Sequence, residues 1–310
     1  MVNREQSVAI ALIVGAGTLW GTMGVASRYV LDADVTGYQI VFVRSLITSL
    51  FLFVTFYFID PSKLKIELRD IWMFIGSGVF GLTTFNLCYF QALPTLSLSM
   101  ATVLLYTAPV YVTIISLVVF NEKMNRYKLL ALIAAVFGCI FTTGVLGDAD
   151  GDVTGIFFGI LAGFFYSLYT VFGAIALKKY HPVTFTAYTF LFAALFTFPT
   201  SDIASLGHLM MNDILIPVCL VLIGVLFTLV PFFMYSRGLR DLDPSVAAVL
   251  AYTEPMVATI IGFLVYGENI TYGTIVGILL ILLAIVLLSY GDRIPDMIAE
   301  WKSRRQKTKV

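Results

Sequence analysis

Charge is scarce in this 310-residue chain: Asp, Glu, Lys and Arg make up 12% of it, against 59% hydrophobic residues. A chain this poor in charge cannot cover itself with a water-soluble surface, so its solvent is lipid. There are only 3 cysteines, and Cys88, Cys139 and Cys219 all fall inside apolar runs without a CxxC spacing or a His partner. Neither a disulfide framework nor a metal site is indicated. Histidine is rarer still, with His181 and His208 both in expected loops. No Ser/His/Asp set, no His/Cys/carboxylate cluster and no phosphate-cradling glycine loop supports catalysis or nucleotide hydrolysis. No enzyme activity and no cofactor is therefore expected. The 19 basic and 19 acidic residues balance, so nothing points to a nucleic-acid partner.

What the chain has instead is apolar length. A membrane span needs about 20 mostly apolar residues. Cutting at charges and turns predicts ten, at 7–30, 37–59, 71–92, 95–119, 127–146, 153–177, 183–200, 213–236, 244–266 and 271–290. The first run is too long for a signal peptide and lacks a small-residue cleavage site, so it reads as a retained span. With the amino terminus in the cytoplasm, 17 of the 19 Lys and Arg lie inside, leaving Arg28 outside and Arg44 within a span. The positive-inside rule then places both termini in the cytoplasm of a multi-pass cell-membrane protein. The opposite loops are acidic, with Asp32, Asp34, Asp148, Asp150, Asp152, Asp202 and Asp213. Residues 293–310 form a basic tail suited to anionic lipid.

The chain also repeats itself at an offset of 146. In the segments ending at Glu122 and Glu268, Ser99/Ser245, Ala101/Ala247, Val103/Val249, Leu104/Leu250, Tyr106/Tyr252, Thr107/Thr253, Pro109/Pro255, Thr113/Thr259, Ile114/Ile260, Ile115/Ile261 and Val119/Val265 are identical. Ala16, Gly17, Gly78 and Tyr89 recur as Ala162, Gly163, Gly224 and Tyr235. The expected units are thus 1–146 and 147–292, each of five spans. Five is odd, so the second unit enters the membrane in the opposite sense, giving an all-α bundle of two inverted repeats. Such symmetry lets two copies exchange conformations, which is the structural basis of alternating access.

A Y-T-x-P … (G/N)-E pattern closes the fourth span of each copy: Tyr106-Thr107-Ala108-Pro109 to Asn121-Glu122, and Tyr252-Thr253-Glu254-Pro255 to Gly267-Glu268. Together with Trp20-Gly21, Arg44 and the run Asn86–Ala92, this resembles the EamA-type carriers of the drug/metabolite transporter superfamily. The resemblance covers essentially the whole chain. It implies a secondary carrier of the cytoplasmic membrane that often exports amino acids or other small metabolites, with a cavity lined by spans 1, 3, 4, 6, 8 and 9.

The repeat also acts as a sieve. Positions that match serve the shared architecture, whereas a polar residue opposite an apolar one has another task. Four mismatches stand out: Ala108/Glu254, Arg44/Phe190, Asn86/Phe232 and Gln91/Arg237. Glu254 lies mid-span, where an ionisable group needs a partner or a polar cavity. It would hold a substrate amine or a proton, or else pair with Arg44. The neighbouring Pro255 is expected to free the Ala251 carbonyl and bend the helix. Arg44 keeps its charge and needs a carboxylate or carbonyls, as an anchor or as a substrate contact. Asn86 would bond between helices or polarise the cavity. Gln91 and Arg237 read as surface-reaching residues.

Trp20, Tyr106 and Tyr252 are candidate aromatic walls, the mate of Trp20 being Tyr166. Pro109 and Pro255 are candidate hinges. Gly155, Gly159 and Gly163 permit close helix packing within the monomer, with a weak homodimer as the alternative.

The expected function is alternating-access transport of a small organic metabolite, an amino acid or related zwitterion, with a proton as the candidate coupling ion. An efflux carrier for cationic drugs or quaternary amines is the first alternative. A membrane-embedded transferase or sensor is the alternative of another class.

Overall fold

The computed structural model describes residues 4–143, 152–267 and 271–290. The basic tail lies outside them. Among the described residues there is no strand, and nine helical stretches are long and apolar enough to cross a membrane. A further helix, α7 (Arg126–Thr143), packs along α15 (Tyr272–Tyr290) and supplies the tenth span. The end of the expected span 127–146 falls outside the described residues.

Four spans are interrupted, and the interruptions obey the 146-residue offset. Span 3 runs from α3 (Ile71–Ile75) through a π-helical stretch, Gly76–Thr84, into α4 (Phe85–Ala92). Its mate, span 8, runs from α11 (Leu215–Gly224) through Val225–Leu229, also π-helical, into α12 (Val230–Leu239). Span 4 divides into α5 (Leu98–Leu105) and α6 (Ala108–Val119), and span 9 into α13 (Pro244–Leu250) and α14 (Thr253–Tyr266). Bends were expected at Pro109 and Pro255 only.

The expected role of Pro255 is corrected in detail. The Ala251 carbonyl is not left free, because it accepts from the Glu254 N–H at 2.9 Å. The break falls at Ala251–Tyr252, and Pro255 sits in the first turn of α14, where a missing N–H costs no helical bond. Pro109 likewise lies in the first turn of α6, and the Thr107 carbonyl there accepts from Val110 N–H at 2.9 Å.

Helix ends follow local chemistry. At the start of α2 (Gly37–Ile59), Thr36 and Gln39 form a capping box, with the Thr36 N–H donating to Gln39 Oε1 at 2.8 Å and the Gln39 N–H to Thr36 Oγ1 at 3.3 Å. His181 caps α9 (Pro182–Thr197) through Nδ1, which accepts from Val183 N–H. His208, expected in a loop, lies instead in a short helix, α10 (Ile203–Asn212), which Asp202 caps by accepting from Ser205 N–H. That helix forms because Leu206 buries itself against Val30 and Ile216.

Packing is symmetric too. The self-mated pairs α2–α9 and α7–α15 straddle the pseudo-axis. Helix α1 (Arg4–Asp32) packs on α12 and α14, as its mate α8 (Val153–Ala176) packs on α4 and α6. Two glycines allow this approach: a Cβ on Gly17 would strike Thr253 Oγ1, and one on its mate Gly163 would strike Thr107 Oγ1. Gly155 and Gly159 face Thr95, Leu96 and Leu104 of the same chain, the intramolecular use expected for this stripe.

Chain direction gives the bundle two ends. The acidic end carries residues 33–36, 93–97 and 198–214. The basic end carries 60–70, 120–125, 177–181 and 240–243.

Candidate functional site

A cavity of about 320 Å³ lies between the two repeats and reaches from mid-bundle to the acidic end. Its wall on α1 is Trp20, Met23, Ser27 and Leu31, a single stripe at helical spacing. Helix α2 contributes Arg44, α4 contributes Phe85, Asn86 and Tyr89, and Tyr106, Tyr166, Phe232 and Glu254 close the inner part. Span 2 was not among the lining spans implied by the resemblance, and its Gly37, Ile40, Val41 and Arg44 add to them.

Three of the four asymmetric positions converge here. Glu254, Arg44 and Asn86 all line this cavity, and so does Phe232, the apolar mate of Asn86. Gln91 is exposed, and Arg237 pairs with Asp241 at the basic end.

Arg44 and Glu254 face the same space, yet no ion pair joins them, so the structural alternative for both charges is not formed. Arg44 is 8% exposed and its Nε has no hydrogen-bond partner. The indole N–H of Trp20 is likewise buried and unpartnered. A buried donor without a partner carries a full desolvation penalty, which a bound acceptor relieves. Glu254 meets the Tyr106 hydroxyl. Asn86 donates from Nδ2 to the Leu82 carbonyl at 2.6 Å, one turn back in its own span.

Aromatic rings build the base of the cavity. Trp20 meets Phe232 edge-on with centroids 4.8 Å apart, and Phe232 meets Phe190 at 4.9 Å and Tyr169 at 5.2 Å. Phe85 and Tyr166 lie 4.8 Å apart. Below them the Tyr235 and Thr170 hydroxyls are bonded at 2.8 Å. A smaller cavity of about 30 Å³ adjoins this layer: Trp20, Tyr106, Tyr166 and Glu254 line both, and Pro109, Val112, Ala248 and Tyr252 line the smaller one alone.

Tyr252 is therefore not a wall of the large cavity. It is 1% exposed, stacks near Tyr106 with centroids 5.8 Å apart, and donates its hydroxyl to the Tyr106 carbonyl. That bond reaches across the repeats and satisfies a carbonyl freed where span 4 breaks. Pro109 lines the smaller cavity, while Pro255 is buried beside Glu254.

Met23, Ser27, Thr102 and Leu105 were not singled out from sequence. The 20-23-27-31 spacing of the α1 stripe was the available signal, hidden because both faces of α1 are apolar. Among the described residues no group of His, Cys, Asp and Glu is placed to hold a metal.

Comparison with known proteins agrees with this architecture. An uncharacterized transporter of Archaeoglobus fulgidus is 30% identical over 264 residues, covering 83% of this chain and 93% of that protein. The uncharacterized transporter YoaV of Bacillus subtilis is 26% identical, covering 90% and 95%. The uncharacterized inner membrane transporter YicL of Salmonella typhimurium is 24% identical, covering 90% and 94%. A crystal structure of 17% sequence identity shares the fold, with a TM-score of 0.73 over 91% of this chain and 96% of that one. The EamA-like transporter family matches twice, over residues 7–144 and 153–290, so this ten-helix chain of two inverted repeats belongs to that family.

Proposed function

We infer that this membrane transporter is a secondary carrier for an amino acid or related zwitterion, working by alternating access in the cell membrane. The observation that carries the reading is the placement of Arg44 and Glu254 in one cavity without a bond between them. Opposite charges held apart suit a substrate that carries both. Its carboxylate would take the free N–H groups of Arg44 and Trp20, and its ammonium the Glu254 carboxylate. Rings of Phe85, Tyr89, Tyr106 and Tyr166 would cover an apolar side chain and the face of the ammonium group. Glu254 could pass a proton when the amine leaves, which makes the proton the candidate coupling ion.

Lysine and arginine concentrate at the basic end, so the positive-inside rule puts that end and both termini in the cytoplasm. The cavity then opens outward.

The aromatic lining and Glu254 also favour the cationic-drug reading, in which Arg44 has no substrate contact. A thermal-shift screen of amino acids, amines and quaternary ammonium compounds separates the two, because a ligand of the folded state raises the melting temperature. Stabilisation by a zwitterion that is lost in both Glu254→Gln and Arg44→Gln supports the zwitterion carrier. Stabilisation by a cation that survives Arg44→Gln supports the drug carrier. If liposomes holding the folded protein pass neither class, the carrier reading falls.

A further inference from the structure

We propose that the basic end is closed by a charged latch with no equivalent at the acidic end among the described residues, and that this latch holds the empty carrier open toward the acidic end. Lys128 of α7 donates to Glu122 Oε1 at 2.8 Å and to Asp243 Oδ2 at 2.7 Å. Ser245 of α13 donates to the same Glu122 oxygen. Glu122 and Lys128 belong to the first repeat, Asp243 and Ser245 to the second, so the cluster ties one repeat to the other. It is not a loose surface pair: the side chains of Glu122 and Lys128 are 6% and 17% exposed.

The latch sits on contacts that the repeat symmetry makes exchangeable. Helix α13 packs on α6 and α7 at the basic end, while the mated contacts, α5 with α14 and α5 with α15, are not packed at the acidic end. In the alternate state the two sets trade places. Among the described residues, the offset mates of the latch's charged groups are Thr274 for Lys128 and Ser97 for Asp243. Neither Lys128 nor Asp243 has a charged mate. Ser97 Oγ accepts instead from Met100 N–H and Thr274 Oγ1 bonds Thr271, both within their own helical turns. Among the described residues, every ion pair of the protein lies at the basic end.

The other large ion cluster does not share this property. Lys179 joins Asp70 and Glu67 at 2.6 and 2.7 Å, but between spans 3 and 6, whose mated spans 1 and 8 are packed in the same state. It is scaffold, whereas the Lys128 cluster closes a gate.

A ligand arriving at a state populated to a fraction f binds with its dissociation constant divided by f. The latch therefore favours capture from the acidic end and weakens apparent affinity from the basic end. This consequence rests on the alternating-access reading, but the latch can be tested without any substrate.

The native cysteines are replaced, and Ser27→Cys at the cavity mouth or Ala248→Cys beneath the aromatic layer is introduced. Each is labelled in the purified protein with a polar thiol reagent. In the otherwise native chain, position 27 should react fast and position 248 slowly. Lys128→Thr should raise the rate at 248 by about tenfold. The transposed variant K128T/D243S/S97D/T274K should reverse the pattern, fast at 248 and slow at 27. Unchanged rates in both variants, with monodisperse elution and native helicity, would overturn the latch. Shifted rates without flux in liposomes would uphold the latch and sink the carrier reading instead.

Discussion

At the scale of single residues, the site depends on two charges that the fold holds apart. Glu254→Gln keeps the shape of the side chain and removes its charge. The zwitterion reading predicts that it costs at least 2 kcal/mol of substrate binding, about 30-fold in Kd, read by titration or thermal shift. Arg44→Lys keeps the charge but loses the planar fork and the Nε donor, so it should weaken binding about tenfold while the protein still folds. Equal affinity in Arg44→Lys would mean that Arg44 only neutralises charge. Most of this site was legible in the sequence because of the duplication. The polar mismatches Glu254, Arg44 and Asn86 were marked by the apolar mates Ala108, Phe190 and Phe232, and the cavity gathers all three. Tyr252, identical with Tyr106, lines only the smaller cavity, beside Trp20, Tyr106 and Glu254, because inverted copies bring the two tyrosine rings together. Which of two equivalent residues meets the solvent depends on the state of the gate, and no pattern along the chain encodes that state.

At the scale of elements, the spans were legible and their interruptions were not. Apolar runs set the length of a helix, but a π-helical stretch at Gly76–Thr84 or a break at Ala251–Tyr252 is fixed by what packs across it. Helix α10 was missed because ten residues without a long apolar run read as loop until Leu206 finds its partners. The break in span 4 is approached closely by Gly163, and that in span 9 by its mate Gly17. A methyl group on Gly163 would meet the Leu104 carbonyl as well as Thr107, and backbone cannot turn aside as a side chain can. Gly163→Ala should therefore destabilise the protein by about 1–3 kcal/mol, seen as a lower melting temperature, whereas Gly24→Ala, with nothing near its Cβ, should not. The end of α1 is tied differently, by the Tyr29 hydroxyl donating to Asp213 at 2.7 Å. That hydrogen bond holds the Asp213 carboxyl below its ordinary value, so its stabilising effect is present above the unfolded carboxylate pKa of about 4 and is lost as pH falls through the lowered folded value. Melting temperatures of Tyr29→Phe and the unaltered chain should differ near neutral pH and converge on acidification. A gap that persists in strong acid would assign the effect to packing of the ring.

At the scale of the molecule, the inverted repeat makes the unseen state a prediction of the seen one. The large cavity reaches the acidic end, and toward the basic end α13 packs on α6, with Val112 of α6 and Ala248 of α13 lining one small cavity. Exchange of the two repeats carries Val112 to Ala258 and Ala248 to Thr102. Those two residues now belong to α14 and α5, which are not packed on each other. A chain that only bound ligand without changing state would keep the first pair close and the second apart under all conditions. A carrier must alternate between them, and a ligand shifts that balance only by its differential affinity for the two states. With the native cysteines removed, a short bifunctional thiol reagent should link Val112→Cys to Ala248→Cys in the resting protein. It should link Thr102→Cys to Ala258→Cys only in the fraction that has turned over. Adding Lys128→Thr should lower the first yield and raise the second, both read as mobility shifts on a denaturing gel. Failure of the second pair to link under any condition, with the first pair linking and the protein folded, would mean that the two repeats do not exchange, and the symmetry would then be ancestry without mechanism.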